Sequence, residues 1–224
     1  MKEKIDINTW IRKDHFKFFS GFEEPFFGVT VELDCTTTYK EAKKQNVSFF
    51  LLYLHKSLIA ANQVEPFRYR IIDGEVWKYD IINAAATINR PNGTFGFGYM
   101  DFSENFEDFR KAANQEIEKV RNSTGLIPSS SGENVIHYSA LPWLNFTSLS
   151  HARNYAYQDS CPKISFGKLR DENERKIMSV SIHVNHALMD GFNVAQFVDY
   201  YQALLNNEEV NVPLKSKPLS LSNI

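Results

Sequence analysis

The chain reads as an α/β protein, a two-layer sandwich with helices packed on a mixed β-sheet. Three observations predict this class. Runs of strict period-two alternation recur along the sequence, interleaved with longer runs at helical spacing. Some neighbouring strand runs are joined by turns too short to hold a helix, which makes part of the sheet antiparallel. No internal repeat or Pro/Gly-rich linker divides the 224 residues, so residues 1–224 form one domain whose polar C-terminal tail covers about 207–224.

The elements follow in order. Gly28 to Asp34 alternates, with Val29, Val31 and Leu33 on one face. Tyr39 to Lys44 reads as a short polar helix. Ser48 caps a helix running to about Asn62, apolar nearly all round and therefore buried. Tyr69 to Lys78 is a hairpin turning at Asp73-Gly74. Thr94 to Met100 alternates aromatic residues with glycine, leaving one strand face bare for a closely packed helix or for a ligand. Phe106, Phe109, Ala113, Ile117 and Val120 mark an amphipathic helix over roughly Asn105 to Arg121. Ser123 to Asn134 is a loop. Ser179 to Val184 alternates Val180, Ile182 and Val184 with Ser179, Ser181 and His183, the pattern of a half-buried strand. A helix follows, with its stripe at Val194, Phe197, Val198, Tyr201, Leu204 and Leu205.

Composition excludes several classes. The net charge is -2 and basic residues are scattered, so nucleic acid is not an expected partner. No uninterrupted apolar run is long enough to span a bilayer, and Met1 to Asp6 is charged, without the apolar core of a secretory signal. A cytoplasmic location is expected. Cys35 and Cys161 lack CxxC spacing; free thiols fit a reducing compartment, and a long-range disulfide is the alternative. The 18 phenylalanines fit a thick core or an aromatic-lined pocket.

The chemistry concentrates at His186. It continues the apolar row of its strand, so its imidazole points to the side that excludes water, where a group titrating near neutrality suits a general base. A hydrogen-bonded core histidine is the other reading. Asp190 and Gly191 come next, before the final helix; Asp190 can cap it or pair with a cation, and Gly191 permits a tight turn. His183 and His186 lie on opposite strand faces and cannot share a metal ion, and no metal site is read. Gly96-Phe97-Gly98 lacks the continuation of a phosphate loop.

Three blocks carry a resemblance: Trp10-Ile11-Arg12-Lys13-Asp14-His15-Phe16; Ser139-Ala140-Leu141-Pro142-Trp143 with Phe146 and Ser148; and Val184-Asn185-His186-Ala187-Leu188-Met189-Asp190-Gly191-Phe192. The last contains HxxxDG. In order and spacing the chain resembles the chloramphenicol acetyltransferase family of CoA-dependent acyltransferases, from about residue 5 to 206. The resemblance implies that His186 is the general base and Ser139 stabilises the oxyanion. Ser165 stands where the family has a threonine holding a water. Arg12 and Asp190 would form a bidentate ion pair supporting the turn at Gly191. Trp143 and Lys168 fall near CoA, and Phe18 and Phe19 in the acceptor pocket. It further implies acetyl-CoA as cosubstrate, no metal, a homotrimer with sites between subunits, and a small-molecule hydroxyl acceptor, chloramphenicol first. The alternatives are a related O- or N-acyltransferase with another acceptor and a non-catalytic binding protein of the same fold. The chain departs from the pattern at Asn185, where a second histidine is usual; at Phe19, where the family has a tyrosine; and over Leu149-Ser150-His151-Ala152-Arg153.

Overall fold

The computed structural model describes residues 1–126 and 132–209. In chain order it builds β1 (Lys2–Lys4), α1 (Lys13–Phe19), β2 (Phe26–Asp34), α2 (Thr36–Gln45), α3 (Phe49–Gln63) and a 3-10 turn (Glu65–Arg68). Then come β3 (Tyr69–Ile72), β4 (Glu75–Tyr79), β5 (Asn83–Asn89), β6 (Phe95–Met100) and α4 (Phe106–Arg121). The chain continues through β7 (Val135–Ala140), β8 (Lys163–Glu172), β9 (Arg175–Asn185) and α5 (Gly191–Leu205).

Six strands form the main sheet in the order β2-β9-β8-β7-β5-β6. Strand β7 is parallel to both its neighbours, β5 and β8; all other pairs are antiparallel, so the sheet is mixed as expected. Its apolar face, with Ile136, Tyr138, Ile164, Phe166, Val180 and Ile182, packs against Leu54 and Leu58 of α3, Phe109 of α4 and Phe197 and Tyr201 of α5 in one core. Burying one such large apolar side chain contributes roughly 1.5–3 kcal/mol, which is why α3, apolar nearly all round, sits innermost.

Local signals set the ends. The Ser48 hydroxyl accepts from the Leu51 amide, and Asn105 accepts from the Glu107 and Asp108 amides, so both helices start at capping side chains. Asp73 and Gly74 both have positive φ (53° and 75°), the backbone twist a two-residue hairpin needs. The bare face of β6 belongs to α4: a Cβ at Gly98 would lie 3.4 Å from Glu116 and Val120 side-chain atoms. Helix packing, not a ligand, explains those glycines. Helix α2 is longer than its polar centre suggested, because its first turn is made of threonines. Within the loop read over Ser123 to Asn134, residues 127–131 lie outside the described residues, as does 210–224 of the tail.

A second, smaller sheet, β1-β4-β3, packs on α1 with a core of Phe16, Tyr69, Ile71, Val76, Ala187 and Leu188. Arg70 joins the two sheets. Fully buried, it donates to the carbonyls of Phe67 (2.9 Å), Tyr69 (2.5 Å), Glu133 (2.7 Å) and Val135 (2.6 Å). All its partners are backbone oxygens.

The expectation of a half-buried strand at Ser179 to Val184 is corrected. Strand β9 is buried on both faces: Ser179 and Ser181 are 1% and 0% exposed. The irregular segment between β7 and β8 lies over the polar side, with the Leu144 carbonyl and the Phe146 ring 3.2 and 3.1 Å from where a Gly167 Cβ would stand.

Candidate active site

The polar face of the main sheet carries its functional side chains in two rows. Ser139, Ser165 and Ser181 are direct cross-strand neighbours, extended by Thr30 on β2. Thr87 on β5 completes the row, its hydroxyl 3.3 Å from that of Ser139. Two residues along, His137, Lys163 and His183 form the second row, which ends at Gly28. Gly28 is a glycine for a visible reason: any Cβ there would overlap the His183 ring. Among the described residues the Ser165 hydroxyl is buried and has no hydrogen-bond partner.

His186 sits one residue past β9, three residues beyond His183 at the same end of that strand. Its amide donates to the Pro25 carbonyl at 2.8 Å. Its ring stacks on Phe19 (centroids 4.0 Å apart, planes 14° apart) and leans on Phe27 at 4.6 Å. Nδ1 lies 3.1 Å from the Met189 carbonyl. A carbonyl only accepts, so Nδ1 carries the proton and Nε2 presents its lone pair, the tautomer a general base requires. The Ala187-Leu188 turn that sets this geometry is buried against α1 and the small sheet.

Asp190 holds the turn, by a different arrangement from the bidentate pair expected. Oδ2 accepts from Arg12 Nη1 at 2.7 Å, while Oδ1 accepts from the amides of Phe192 (3.0 Å) and Asn193 (3.4 Å). One carboxylate oxygen takes the guanidinium and the other caps α5, in a capping box completed by the Asn193 side chain. Arg12 Nη2 instead reaches towards the His186 carbonyl at 3.5 Å, at the limit of a hydrogen bond. Burial pushes the Asp190 carboxyl up, but the Arg12 hydrogen bond and charge and the two amides outweigh it, and the net pKa is lowered. The tight-turn role expected for Gly191 is also corrected: its φ is not positive, and an added Cβ meets nothing within 4 Å.

Phe18 is exposed at 64% and clusters with Phe19 and Phe22 beside His186. Trp143 is exposed at 65%, and the Lys168 amide donates to the neighbouring Leu144 carbonyl at 2.8 Å, which brings the two expected CoA residues together near the end of β7. A cavity of about 520 Å³ opens at the same strand ends. It runs from Thr87 and Ala140 between α3 and α4 to Arg121 and Asn114.

One chain does not bring His186 and Ser139 together. Ser139 aligns with Ser181 across two strand spacings, about 10 Å, and His186 lies five residues beyond Ser181, roughly 17 Å along the strand.

The sequence reading assigned no site role to His137, His151, Asp159 or Cys161. His137 was open to discovery, since it alternates with Ser139 on one strand. His151, Asp159 and Cys161 come from the irregular segment, which has no period. Donor atoms of His137, Asp159 and Cys161 lie within 4.8 Å of one another, a metal-capable group the sequence did not signal. The Lys163 ammonium already neutralises Asp159 there.

Comparison with known proteins decides the family. The family model described as "Chloramphenicol acetyltransferase" matches residues 2–202. The chain belongs to the chloramphenicol acetyltransferase family. It is 29% identical over 208 residues to chloramphenicol acetyltransferase 3 of Escherichia coli, covering 92% of this chain and 97% of that one. It is 29% identical over 211 residues to the chloramphenicol acetyltransferase of Bacillus pumilus, with 92% and 94% covered. A solved chloramphenicol acetyltransferase superposes with a TM-score of 0.85 at 30% identity, over 92% of this chain and all of that one. A truncated catalytic core of the 2-oxoacid dehydrogenase complex of Thermoplasma acidophilum shares the fold at TM-score 0.66 and 15% identity, over 92% of this chain and 100% of that one. Membership in the family makes this chain an acyltransferase that uses acetyl-CoA. Among the described residues, no helix is long and apolar enough to cross a membrane.

Proposed function

We propose that this protein moves the acetyl group of acetyl-CoA to a hydroxyl of chloramphenicol, in sites built between the subunits of a cytoplasmic homotrimer. His186 Nε2 takes the proton of the acceptor hydroxyl as its oxygen attacks the thioester carbonyl carbon. Ser139 of the neighbouring subunit donates to the carbonyl oxygen as it becomes an oxyanion, a contribution of about 2.7–4 kcal/mol in comparable sites. The intermediate then collapses, the C–S bond breaks, and the imidazolium returns its proton to the leaving CoA thiolate. General-base assistance of this kind gives roughly 10²–10⁴ in rate. Arg12 and Asp190 act on the turn rather than on the proton, and Gly191 begins the helix they anchor. The cavity ending at Arg121, with Trp143 and Lys168 at the strand ends, is a path for the pantetheine arm and phosphates of CoA.

The observation that carries this reading is the His186 ring: its Nδ1 is fixed on the Met189 carbonyl and its Nε2 left free, in a chain of this family. The separation of His186 from Ser139 within one chain supports a shared site. Mixing subunits tests it. His186→Ala and Ser139→Ala trimers are each expected to be almost inactive. Unfolded together and reassembled, about a quarter of their sites regain both groups, and thiol release should return accordingly. No recovery in verified mixed trimers refutes the shared site.

A further inference from the structure

Ser139 has one hydroxyl proton, and to stabilise an oxyanion that proton has to point at the thioester. A serine hydroxyl rotates freely unless a neighbour fixes it. On the sheet Ser139 stands between β5 and β8, with Thr87 on one side and Ser165 on the other. The two neighbours differ. The Ser165 hydroxyl is buried and makes no hydrogen bond among the described residues. The Thr87 hydroxyl lies 3.3 Å from Ser139 Oγ, the one side-chain hydrogen bond that either residue makes among the described residues.

The strand itself puts Thr87 there. Ala84, Ala86 and Ile88 of β5 face the main core, so Thr87 alternates to the polar face. Its branched Cβ restricts χ1, so its hydroxyl is held more firmly than that of a serine. Thr87 also borders the cavity of about 520 Å³, as does Ala140, the residue after Ser139. The pair therefore stands where the thioester arrives.

Counting protons separates two arrangements. If Ser139 donates to Thr87, its proton points along the sheet and is lost to the thioester oxygen. If Thr87 donates to Ser139, a lone pair of Oγ is occupied and the Ser139 proton is left to turn to the cavity. Only the second serves a developing oxyanion. As Ser139 donates to that charge, its Oγ becomes a better acceptor for Thr87, and the two hydrogen bonds strengthen each other. The 3.3 Å spacing is long for a hydroxyl pair, as catalytic hydrogen bonds often are before the reacting group binds.

We propose that Thr87 is a positioning residue for acyl transfer, donating to Ser139 Oγ and so aiming the Ser139 proton at the thioester carbonyl oxygen. It acts through Ser139 and touches no reacting atom. Both residues belong to one subunit, so the pair enters a shared site together, opposite His186 of the neighbour. This rests on the oxyanion role proposed for Ser139 and adds the group that directs it.

The test compares the intact assembled wild type with Thr87→Val, Thr87→Ser, Ser139→Ala and the double variant Thr87→Val with Ser139→Ala. Thiol release from acetyl-CoA with chloramphenicol as acceptor is the readout, and melting curves confirm folding. Valine keeps the branched shape and removes the hydroxyl; Thr87→Ala replaces it should the valine chain fail to fold. Thr87→Val is expected to lower kcat roughly tenfold, the size of one hydroxyl hydrogen bond, with both KM values within about twofold of wild type. Thr87→Ser should return most of the loss. In the Ser139→Ala background, Thr87→Val should lower the rate no further, because no proton remains to be aimed, whereas a packing defect would lower it again by the same factor. An unchanged kcat in the hydroxyl-less variant, a loss that serine does not recover, or losses that multiply in the double variant each overturn the proposal and leave the role of Ser139 standing. A Ser139→Ala enzyme with a near wild-type rate brings down the oxyanion role itself, and the role of Thr87 with it.

Discussion

Asp190→Asn separates a residue that supports the histidine from one that takes part in proton transfer. Asparagine keeps an oxygen for the Phe192 and Asn193 amides, and it caps helices about as well as aspartate, so the cap term is nearly unchanged. What is lost is the charge facing Arg12 at 2.7 Å. Removing one member of a fully buried pair costs about 3–5 kcal/mol. Here the Arg12 side chain is 14% exposed and that of Asp190 36%, so solvent screens the pair and about half of that, roughly 2 kcal/mol, is expected. For a chain of this size each kcal/mol shifts Tm by about 2–4 °C, which gives a fall of roughly 4–8 °C. The loosened turn releases the His186 carbonyl from Arg12 and shifts the ring off Phe19, so kcat should fall by at least about tenfold while the pH profile keeps its shape. Calorimetry and the coupled thiol assay measure both. A lost rate with an unchanged melting curve would show Asp190 acting in the chemistry; an unchanged rate with a lowered Tm would detach the pair from the site.

Three further outcomes are expected. Ser139→Ala should lower kcat by roughly 10²–10³ and leave the KM for acetyl-CoA nearly unchanged, measured in steady state. Cys35 and Cys161 should resist thiol reagents in the folded protein, because burial raises their pKa to about 12 and about 11, and should label fully in denaturant; fast native labelling of both would contradict the packing. Acid should destabilise the chain through its histidines. His137 and His151 are held to about 4 by burial, below the value near 6.5 of the unfolded chain, so the unfolded state binds more protons between these limits. Their stability contribution is complete above about pH 6.5 and is lost as pH falls towards 4. Denaturant midpoints across that window should drop, and replacing both residues with Gln should flatten the drop.

Much of the fold was legible because local signals agreed with the tertiary result. Ser48 and Asn105 cap where hydroxyl and amide side chains precede apolar stripes, Asp73-Gly74 turns where positive φ is required, and the stripe of α5 faces the core. The half-buried reading of β9 failed because alternation reports side-chain polarity, whereas the cover over Ser179 and Ser181 comes from an aperiodic segment. His186 and Asp190 were readable from spacing, but the division of the Asp190 oxygens between Arg12 and the helix amides was not, since partners 178 positions apart leave no periodic trace. The gap between His186 and Ser139 follows from strand register, which only the folded sheet fixes. Least visible were His151 and Asp159, which come from the aperiodic segment between β7 and β8.

The Arg70 guanidinium grips four main-chain oxygens and no carboxylate. None of those oxygens gains or loses a proton, so the rivet between the two sheets is indifferent to acidity that charges His137 and His151. Acid would therefore loosen the surroundings of those imidazoles first and leave this fastening, with the hairpin it holds, in place for longer.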